Sequence, residues 1–352
     1  MAAILDMSQF TFDGEVIQAV NELVFDAVLE APEISLFHTV FSGIVTDKEV
    51  GFITGGGIVG KKAQGCDPQP HAFGISTRKL KWTPEEWEVL IHACYKDLRT
   101  TAAAYSLKTG TAIADFTTSD YMNIVVEVLG KEMKKFILRT VWFTNVNADN
   151  VTDGGEITDG IDPTYFDLID GLWKQMLTQV TAKPAQKVTI AENAGANYAA
   201  QALVPANVRD TYLPGLIYGA PMTLRGMEGT FILCTQSFAD GYKKSLTGKE
   251  LESMYTNLVS GMKVLTFDGL PLIPVPMWDL MIAEYNNTGT KLINPHRAIF
   301  THKDFLGIGC DDERSFGDLD IWYDKDSRKV KMEGMGIIDS KLMNPEMFML
   351  AI

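Results

Sequence analysis

The stretch from Thr118 to Phe143, TSDYMNIVVEVLGKEMKKFILRTVWF, predicts one long amphipathic α-helix. Ser119 is placed to cap its start, and Glu127 and Lys131 have the i, i+4 spacing, acid first, that favours a helical ion pair. Apolar side chains recur at three- and four-residue spacing along one face: Tyr121, Ile124, Val125, Val128, Leu129, Phe136 and Ile137. At ~1.5 Å per residue this helix would be roughly 40 Å long, a length that suits a structural strut.

The composition around this helix is that of a folded protein with ordinary cores. The 352 residues suffice for one large or two ordinary domains, and the apolar share of 46 % and charged share of 22 % are typical. No apolar run approaches the ~20 residues needed to span a bilayer, and the start, MAAILDMSQF, lacks the pattern of a signal peptide. The cysteines are far apart and predict free buried thiols in a reducing compartment: Cys66, Cys94, Cys234 and Cys310.

The charge is strongly acidic and unevenly placed. A net charge of −14 argues against a protein that grips a nucleic-acid backbone, because phosphate contacts need clustered Lys and Arg. Up to Val40 the chain has no Lys or Arg, and its acids are Asp6, Asp13, Glu15, Glu22, Asp26, Glu30 and Glu33. Such a segment is either a solvated arm or one that docks on a basic surface. Within it, EVIQAVNELVFDAVL predicts one helix that ends before Pro32.

Residues 49–82, EVGFITGGGIVGKKAQGCDPQPHAFGISTRKLKW, predict an extended two-stranded flap with a glycine-rich tip. Gly55, Gly57 and Gly60 satisfy GxGxxG, and Gly55, Gly60 and Lys61 nearly satisfy the P-loop pattern. Phosphate loops of both kinds need a helix directly after the glycines, whereas AQGCDPQP follows here. The P-loop hydroxyl position is also occupied by Lys62. A phosphate site is therefore not expected.

Residues 83–107, TPEEWEVLIHACYKDLRTTAAAYSL, predict a second helix. Thr83 would be its N-cap, Pro84 its first helical residue and Glu86 the partner in a capping box. An apolar stripe supports the prediction: Trp87, Leu90, Ile91, Cys94, Tyr95 and Leu98.

The second half of the chain alternates helical and strand patterns. Residues 164–180 and 193–217 predict helices, and KVTIA predicts a strand. GTFILCTQ predicts a buried strand that leads into a helix at SFADGYKKSL, and MKVLTFDGLPLIPVP predicts a hairpin that turns at Asp268–Gly269. RAIFTHKDFLGIGC predicts a further strand region. The last forty residues predict two long strands with a turn at Lys325–Ser327.

The sequence contains no motif that indicates catalysis. GxSxG and HExxH are absent, and no catalytic, cofactor-binding or metal-binding residue is predicted. His296 and His302 are six residues apart on a predicted strand, roughly 20 Å, which is too far to share a metal, and we expect both at the surface or an interface. The loop 144–163 predicts a solvated acidic loop, with calcium binding as the less favoured alternative at Asp149, Asp153, Glu156, Asp159 and Asp162.

Taken together, the order of elements resembles the Hong Kong 97-type fold of tailed-phage major capsid proteins, which encapsulin shells share. The strand and helix of GTFILCTQSFADGYKKSL and the strand of FDGLPLIPVPMWD resemble characteristic segments of that family. The resemblance implies an α+β fold in five parts: an N-terminal arm (1–42), an extended E-loop hairpin (43–81), a peripheral domain (82–145) with its spine helix at about 118–143, an axial domain (146–310), and return strands of the peripheral domain (311–352).

The same resemblance implies a structural role. The expected function is a shell subunit that assembles with itself into hexamers and pentamers of an icosahedral phage head, made in the host cytoplasm and located in the virion. Scaffold, portal and decoration proteins are the other expected partners, and double-stranded DNA would be enclosed without specific binding. Because the chain begins with Met, a separate scaffold or none is expected.

One further family feature and two alternatives complete the expectations. Some members cross-link neighbours through a Lys in the E-loop and an Asn; Lys61 or Lys62 and Asn344 are the candidates here, although nothing in the sequence indicates the cross-link. The alternatives to a phage capsid are an encapsulin-like nanocompartment shell and a soluble enzyme with an unrecognised site. An enzyme would need a pocket with convergent polar groups.

Overall fold

The computed structural model describes residues 36–46, 49–56, 74–94, 132–133, 135–246, 255–257, 263–311, 319–324 and 329–352. The predicted N-terminal helix, the glycine-rich hairpin tip with Lys61 and Lys62, Cys66, and residues 118–131 of the predicted long helix lie outside them.

The described strands form a five-stranded, a seven-stranded and a two-stranded sheet. In chain order they are β1 (Thr39–Phe41), β2 (Glu49–Gly56), β3 (Gly74–Lys81), β4 (Glu85–Cys94), β5 (Lys187–Val188), β6 (Phe231–Cys234), β7 (Tyr255–Asn257), β8 (Lys263–Phe267), β9 (Leu270–Pro274), β10 (Ala298–Thr301), β11 (Leu306–Cys310), β12 (Leu319–Asp324), β13 (Lys329–Leu342) and β14 (Met349–Ala351).

The described helices lie mainly in the middle of the chain. They are α1 (132–133 and 135–143), α2 (Leu172–Ala182), the continuous helix α3 (Pro205–Asn207, a π-helical turn Val208–Tyr212, and Leu213–Tyr218), α4 (Met222–Arg225), α5 (Gln236–Ser245) and α6 (Pro276–Tyr285). The predicted end of the long helix at Phe143 agrees with the end of α1. The helix predicted over 164–180 begins only at Leu172, after Gly171.

The five-stranded sheet is held together by the long strand β13. Residues 329–338 of β13 pair antiparallel with β4 on one side, residues 329–334 pair with β12 on the other, and residues 338–342 pair with β11. Strand β1 adds to β11 in parallel. The two strands predicted near the end of the chain are therefore confirmed, and the turn predicted at 325–327 lies outside the described residues.

The helix predicted from Thr83 is wrong, because residues Glu85–Cys94 form strand β4. Trp87 is buried while Glu86, Glu88 and Leu90 are exposed, which is the alternation of a strand with one face on the core. Helix propensity differs by only tenths of a kcal/mol per residue, whereas the strand gains a ten-residue ladder with β13 and buries Trp87. Thr83 is no helix cap either, since its backbone N–H donates to the side chain of Asp339.

The seven-stranded sheet confirms the predicted strand–helix and hairpin patterns. Its order is β5-β14-β10-β6-β9-β8-β7, and β6 leads directly into α5 as the sequence predicts. Strands β8 and β9 pair antiparallel around Asp268 and Gly269, whose φ angles of 52° and 79° are those of a type I′ turn.

Towards its end, the chain passes from one of the two larger sheets to the other and back. Strand β10 lies in the seven-stranded sheet and β11, five residues on, lies in the five-stranded sheet; β14 then returns to the seven-stranded sheet, between β5 and β10. The predicted boundary at residue 310 therefore does not coincide with a boundary between sheets.

A cluster of three tryptophans lies in the largest core. The rings of Trp142, Trp173 and Trp278 have centroids 4.6–5.0 Å apart in edge-to-face or tilted contact, a favourable arrangement for aromatic pairs. The indole Nε1–H of Trp142 donates a 3.1 Å hydrogen bond to Nε2 of the buried His38. The cluster thus joins α1, α2 and α6 to the segment that precedes β1.

Candidate interaction surfaces

The hairpin of β2 and β3 is attached to the rest of the described chain at its base. The two strands pair with each other over eight residues and form a sheet of their own, so the predicted two-stranded flap is confirmed for these residues. At the base, Trp82 is fully buried beside Ile44 and Met343. A Cβ added at Gly309 would lie 2.8 Å from the Trp82 ring, so glycine in β11 makes room for the indole.

A polar clamp fixes the same base. The backbone N–H of Thr83 donates a 2.7 Å hydrogen bond to Oδ2 of Asp339, and the Lys341 ammonium donates to the Thr83 hydroxyl at 2.9 Å. Lys341 Nζ also lies 3.4 Å from Asp339 Oδ2. Burial raises the pKa of Asp339 to about 6, against the lowering effect of Lys341 and the two backbone N–H groups.

The outer face of the five-stranded sheet exposes two apolar side chains that have glutamates as neighbours. Leu90 and Met335 are each 62 % exposed, and the register places Leu90 opposite Glu333 and Met335 opposite Glu88. The two apolar side chains are therefore diagonal neighbours. We refer to Glu86, Glu88, Leu90, Glu333 and Met335 as the outer sheet face.

A second exposed apolar surface lies where α3 meets α4. Tyr218 is 60 % exposed at the end of α3, and Met222 is 79 % exposed at the start of α4. The Tyr218 hydroxyl donates a 3.2 Å hydrogen bond to Oδ2 of Asp268 in the β8–β9 turn. A helix end and a hairpin turn thus share one corner of the molecule.

The prediction that His296 and His302 lie at the surface or an interface is wrong, because both side chains are buried within the chain itself. Their exposed fractions are 7 % and 9 %, respectively. His296 Nε2 donates to the carbonyl oxygen of Gln201 at 2.6 Å, and its Nδ1 accepts from the Ser237 hydroxyl at 2.9 Å. Burial lowers the pKa of His296, which keeps the imidazole neutral. No local pattern indicates this burial, because the partners lie 59 and 95 residues away.

The Ser237–His296 contact does not form a catalytic triad. In a triad the carboxylate accepts from the histidine nitrogen opposite the serine, but here Gln201 occupies that position. Asp279 instead accepts from the backbone N–H groups of Gln236 and Ser237, at 2.6 and 3.1 Å, and so caps α5. These side chains tie the loop before α3 and helix α6 to the start of α5.

The acidic loop is organised by an amide side chain. Asn150 Nδ2 donates to the carbonyl oxygens of Thr158 and Ile161, which closes the loop, while Asp153 and Asp159 are exposed. Among the residues that the structure describes, no group of three or more His, Cys, Asp or Glu side chains is placed to hold a metal ion. Cys234 and Cys310 are buried and are not joined by a disulfide. In the same part of the chain, no helix is long and apolar enough to cross a membrane.

Comparison with known proteins identifies the fold. No family model matches the chain, and no curated protein matches it. A solved structure shows that the chain has the Hong Kong 97-type capsid fold, which confirms the predicted α+β class. A chain of the satellite phage P4 procapsid, solved with the size determination (Sid) protein, aligns with a TM-score of 0.52 at 14 % identity, covering 97 % of this chain and 92 % of that one.

Chains of two other solved structures align over similar lengths. A chain of Gordonia phage Cozz aligns with a TM-score of 0.47 at 12 % identity, covering 90 % of this chain and 84 % of that one. The SrpI encapsulin of Synechococcus elongatus aligns with a TM-score of 0.44 at 8 % identity, covering 92 % and 87 %.

Proposed function

We propose that the chain is a major capsid protein, a structural subunit that assembles with copies of itself into the head of a tailed bacteriophage. One observation carries the proposal: the likeness to the P4 procapsid chain covers 97 % of this chain and 92 % of that one. Because the likeness covers nearly all of both chains, we propose a structural and not an enzymatic role.

The described surfaces support this role. Among the described strands, β2 and β3 pair only with each other, which leaves their outer edges open to strands or side chains of another copy. The outer sheet face and the exposed pair Tyr218 and Met222 place large apolar side chains in water. Burying such surface against other copies would stabilise an assembly by about 25 cal/mol per Å².

The geometry of assembly is part of the proposal. We propose hexamers and pentamers in an icosahedral shell, with the corner of Tyr218, Met222 and Asp268 near a ring contact and the hairpin reaching a neighbour. The net charge of −14 suits a shell that encloses double-stranded DNA without gripping it, because like charges repel. Scaffold, portal and decoration proteins, assembly in the host cytoplasm and location in the virion belong to the same proposal.

The division into parts also remains a proposal. The N-terminal arm (1–42), the E-loop (43–81), the peripheral domain (82–145 with 311–352) and the axial domain (146–310) follow the family's order. Sheet membership suggests a refinement, in which Leu306–Cys310 goes with the peripheral domain and Met349–Ala351 with the axial domain.

An encapsulin-like compartment is the alternative on the same fold, and a soluble enzyme is the alternative in a different class. The experiment is to express the chain alone and together with a scaffold protein, and to examine the product by negative-stain electron microscopy. We expect closed shells or rings of five and six. DNA-packaging particles would support the phage capsid, and particles filled with one enzyme would support the compartment. Monomers under both conditions that bind a small-molecule ligand specifically would contradict a shell protein.

A further inference from the structure

The outer sheet face is an open and negatively charged surface of the five-stranded sheet. Leu90 and Met335 are each 62 % exposed there, whereas on the opposite side of the same strands the Trp87 ring packs on Phe136 of α1, with centroids 5.4 Å apart. Within residues 86–90 and 333–337, every ionisable residue is a glutamate. Lys331, the next residue of β13 on this side, leaves the charge of the surface negative.

The charge of this face limits what can bind to it. Two outer sheet faces brought together would place the glutamates of both copies against one another, and like charges across an interface cost free energy. Exposed apolar side chains gain from burial, but a carboxylate that is buried without a cation does not. A partner that fits this face therefore offers cations beside an open place for an apolar side chain.

One side of the β2–β3 hairpin has these properties. Lys79 and Lys81 are two residues apart in β3 and so lie on the same side of the ladder, opposite Gly51 and Glu49 of β2, respectively. We refer to these four residues as the hairpin lysine face. The side chain of Lys79 is 73 % exposed and forms an ion pair with Glu49 at 2.7 Å. An exposed ion pair of this kind is weak, so the Lys79 ammonium can exchange its partner at little cost.

The hairpin lysine face points away from the core of its own chain. Val50 and Leu80, which alternate with its residues along the two strands, pack against the cluster around Trp82 on the other side of the ladder. A Cβ added at Gly51 would have no atom within 4 Å. The backbone between the lysines and Glu49 is therefore open to a side chain from outside.

The two faces are complementary but do not cover each other within one chain, because Leu90, Met335 and Lys79 all remain more than half exposed. We infer that the outer sheet face of one copy binds the hairpin lysine face of a second copy. The lysines would donate to the glutamates, and the two apolar side chains would lie over the open backbone at Gly51. The inference rests on the proposed self-assembly and names two surfaces that carry it.

The contact joins two different surfaces, so every copy offers one of each. A head-to-tail contact of this kind closes into a ring when the rotation between copies allows it, and otherwise continues as an open filament.

The first test is zero-length coupling with a carbodiimide, which joins a lysine amine to a carboxylate in direct contact. Isotope-labelled and unlabelled full chains are mixed, assembled alone or with a scaffold protein, coupled, digested and examined by mass spectrometry. We expect peptides that join Lys79 or Lys81 of one chain to Glu86, Glu88 or Glu333 of the other. The Lys79–Glu49 product within one chain is the internal control of the reaction.

The second test reverses the charges one at a time and then together. Lys79→Glu and Glu88→Lys change exposed side chains, so both variants should fold. Each should raise the concentration at which half of the chains assemble, measured by light scattering, by on the order of tenfold. The double variant should return to within about threefold of the unmodified chain, because the exchanged charges attract again. Lys187→Glu and Asp167→Lys, at exposed positions outside both faces, are the matched controls and should have no effect.

The outcomes separate this contact from the capsid proposal. Rings or shells without the expected coupled peptides, or single reversals that assemble like the unmodified chain, would overturn the contact and leave the capsid proposal standing. Coupled peptides found only in open filaments would support the contact and contradict a closed shell. A chain that remains monomeric under all conditions would overturn both.

Discussion

The backbone N–H of Thr83 and the carboxylate of Asp339, 256 residues apart in sequence, are joined by a 2.7 Å hydrogen bond. Thr83 directly follows Trp82 at the base of the β2–β3 hairpin, and Asp339 lies in β13. A carboxylate that is 1 % exposed is costly to ionise, and the Lys341 ammonium at 3.4 Å offsets part of that cost. The attachment of the hairpin therefore depends on a group that titrates close to neutral pH.

The first prediction concerns pH. The pKa of Asp339 is raised from 3.8 to about 6 in the folded chain, so the folded state binds the proton more tightly than the unfolded state. The contribution of this group to the free energy of unfolding is fully present below pH ~4 and is lost as pH rises through about 6. From pH 7 to pH 4 the unmodified chain should gain about 2 kcal/mol relative to Asp339→Asn, measured by chemical denaturation. Asp167→Asn, at an exposed position, is the control. A constant difference between chain and variant would refute the assignment.

The second prediction concerns the apolar half of the same attachment. Trp82→Ala removes a fully buried indole from the cluster with Ile44 and Met343 and should lower the free energy of unfolding by about 3–5 kcal/mol. Denaturant titration followed by circular dichroism measures the loss. Tyr165→Ala, at a ring that is 63 % exposed, should change the value by less than about 0.5 kcal/mol. Similar losses in both variants would show that Trp82 has no special role.

The third prediction concerns the close packing of β4 on β13. A Cβ at Gly336 would lie 2.8–2.9 Å from the Trp87 indole, so Gly336→Ala should destabilise the chain by about 1–3 kcal/mol. Gly51→Ala places the same methyl group in β2, where no atom lies within 4 Å, and it should be neutral. The pair is compared by thermal unfolding. If Gly336→Ala were as stable as Gly51→Ala, the strand assigned to residues 85–94 would be in doubt.

The fourth prediction concerns assembly. Leu90→Asp puts a charge on the outer sheet face at an exposed position, so folding should be retained. If this face is buried between copies, the added carboxylate lies in an already acidic patch and its burial costs several kcal/mol, which should abolish shells. Circular dichroism reports folding and electron microscopy reports shells. Val146→Asp, at another exposed apolar position, is the matched control. Normal shells from Leu90→Asp would exclude the outer sheet face as an assembly contact.

The sequence predicts correctly those elements whose conformation depends on residues close together in the chain. The turn at Asp268–Gly269 has its own conformational preference, and the run FILC followed by a helix needs no distant partner to be recognised. Strand β4 was mispredicted because Thr83, Pro84 and Glu86 form a good capping pattern, although Trp87, Val89 and Ile91 alternate as a strand does. The decisive partner, β13, lies more than 230 residues later.

Several features of the candidate surfaces could not be predicted from the sequence, because they too depend on residues that are distant along the chain. The burial of His296 depends on Gln201 and Ser237, and the environment of Asp339 depends on Thr83. Arg297 has no neighbouring acid in sequence that would distinguish it from a surface arginine. Only the folded chain places its guanidinium between two aromatic rings.

The paired strands β2 and β3 have a mechanical consequence. Eight residues of strand extend about 26 Å from the anchor at Trp82, so a tilt of about 10° at the anchor displaces the far end of the ladder by roughly 5 Å. Such a tilt leaves the described strand pairing intact, because β2 and β3 pair only with each other among the described strands. The hairpin therefore acts as a lever, in which a small rotation at Trp82 produces a larger displacement at the far end of the β2–β3 ladder.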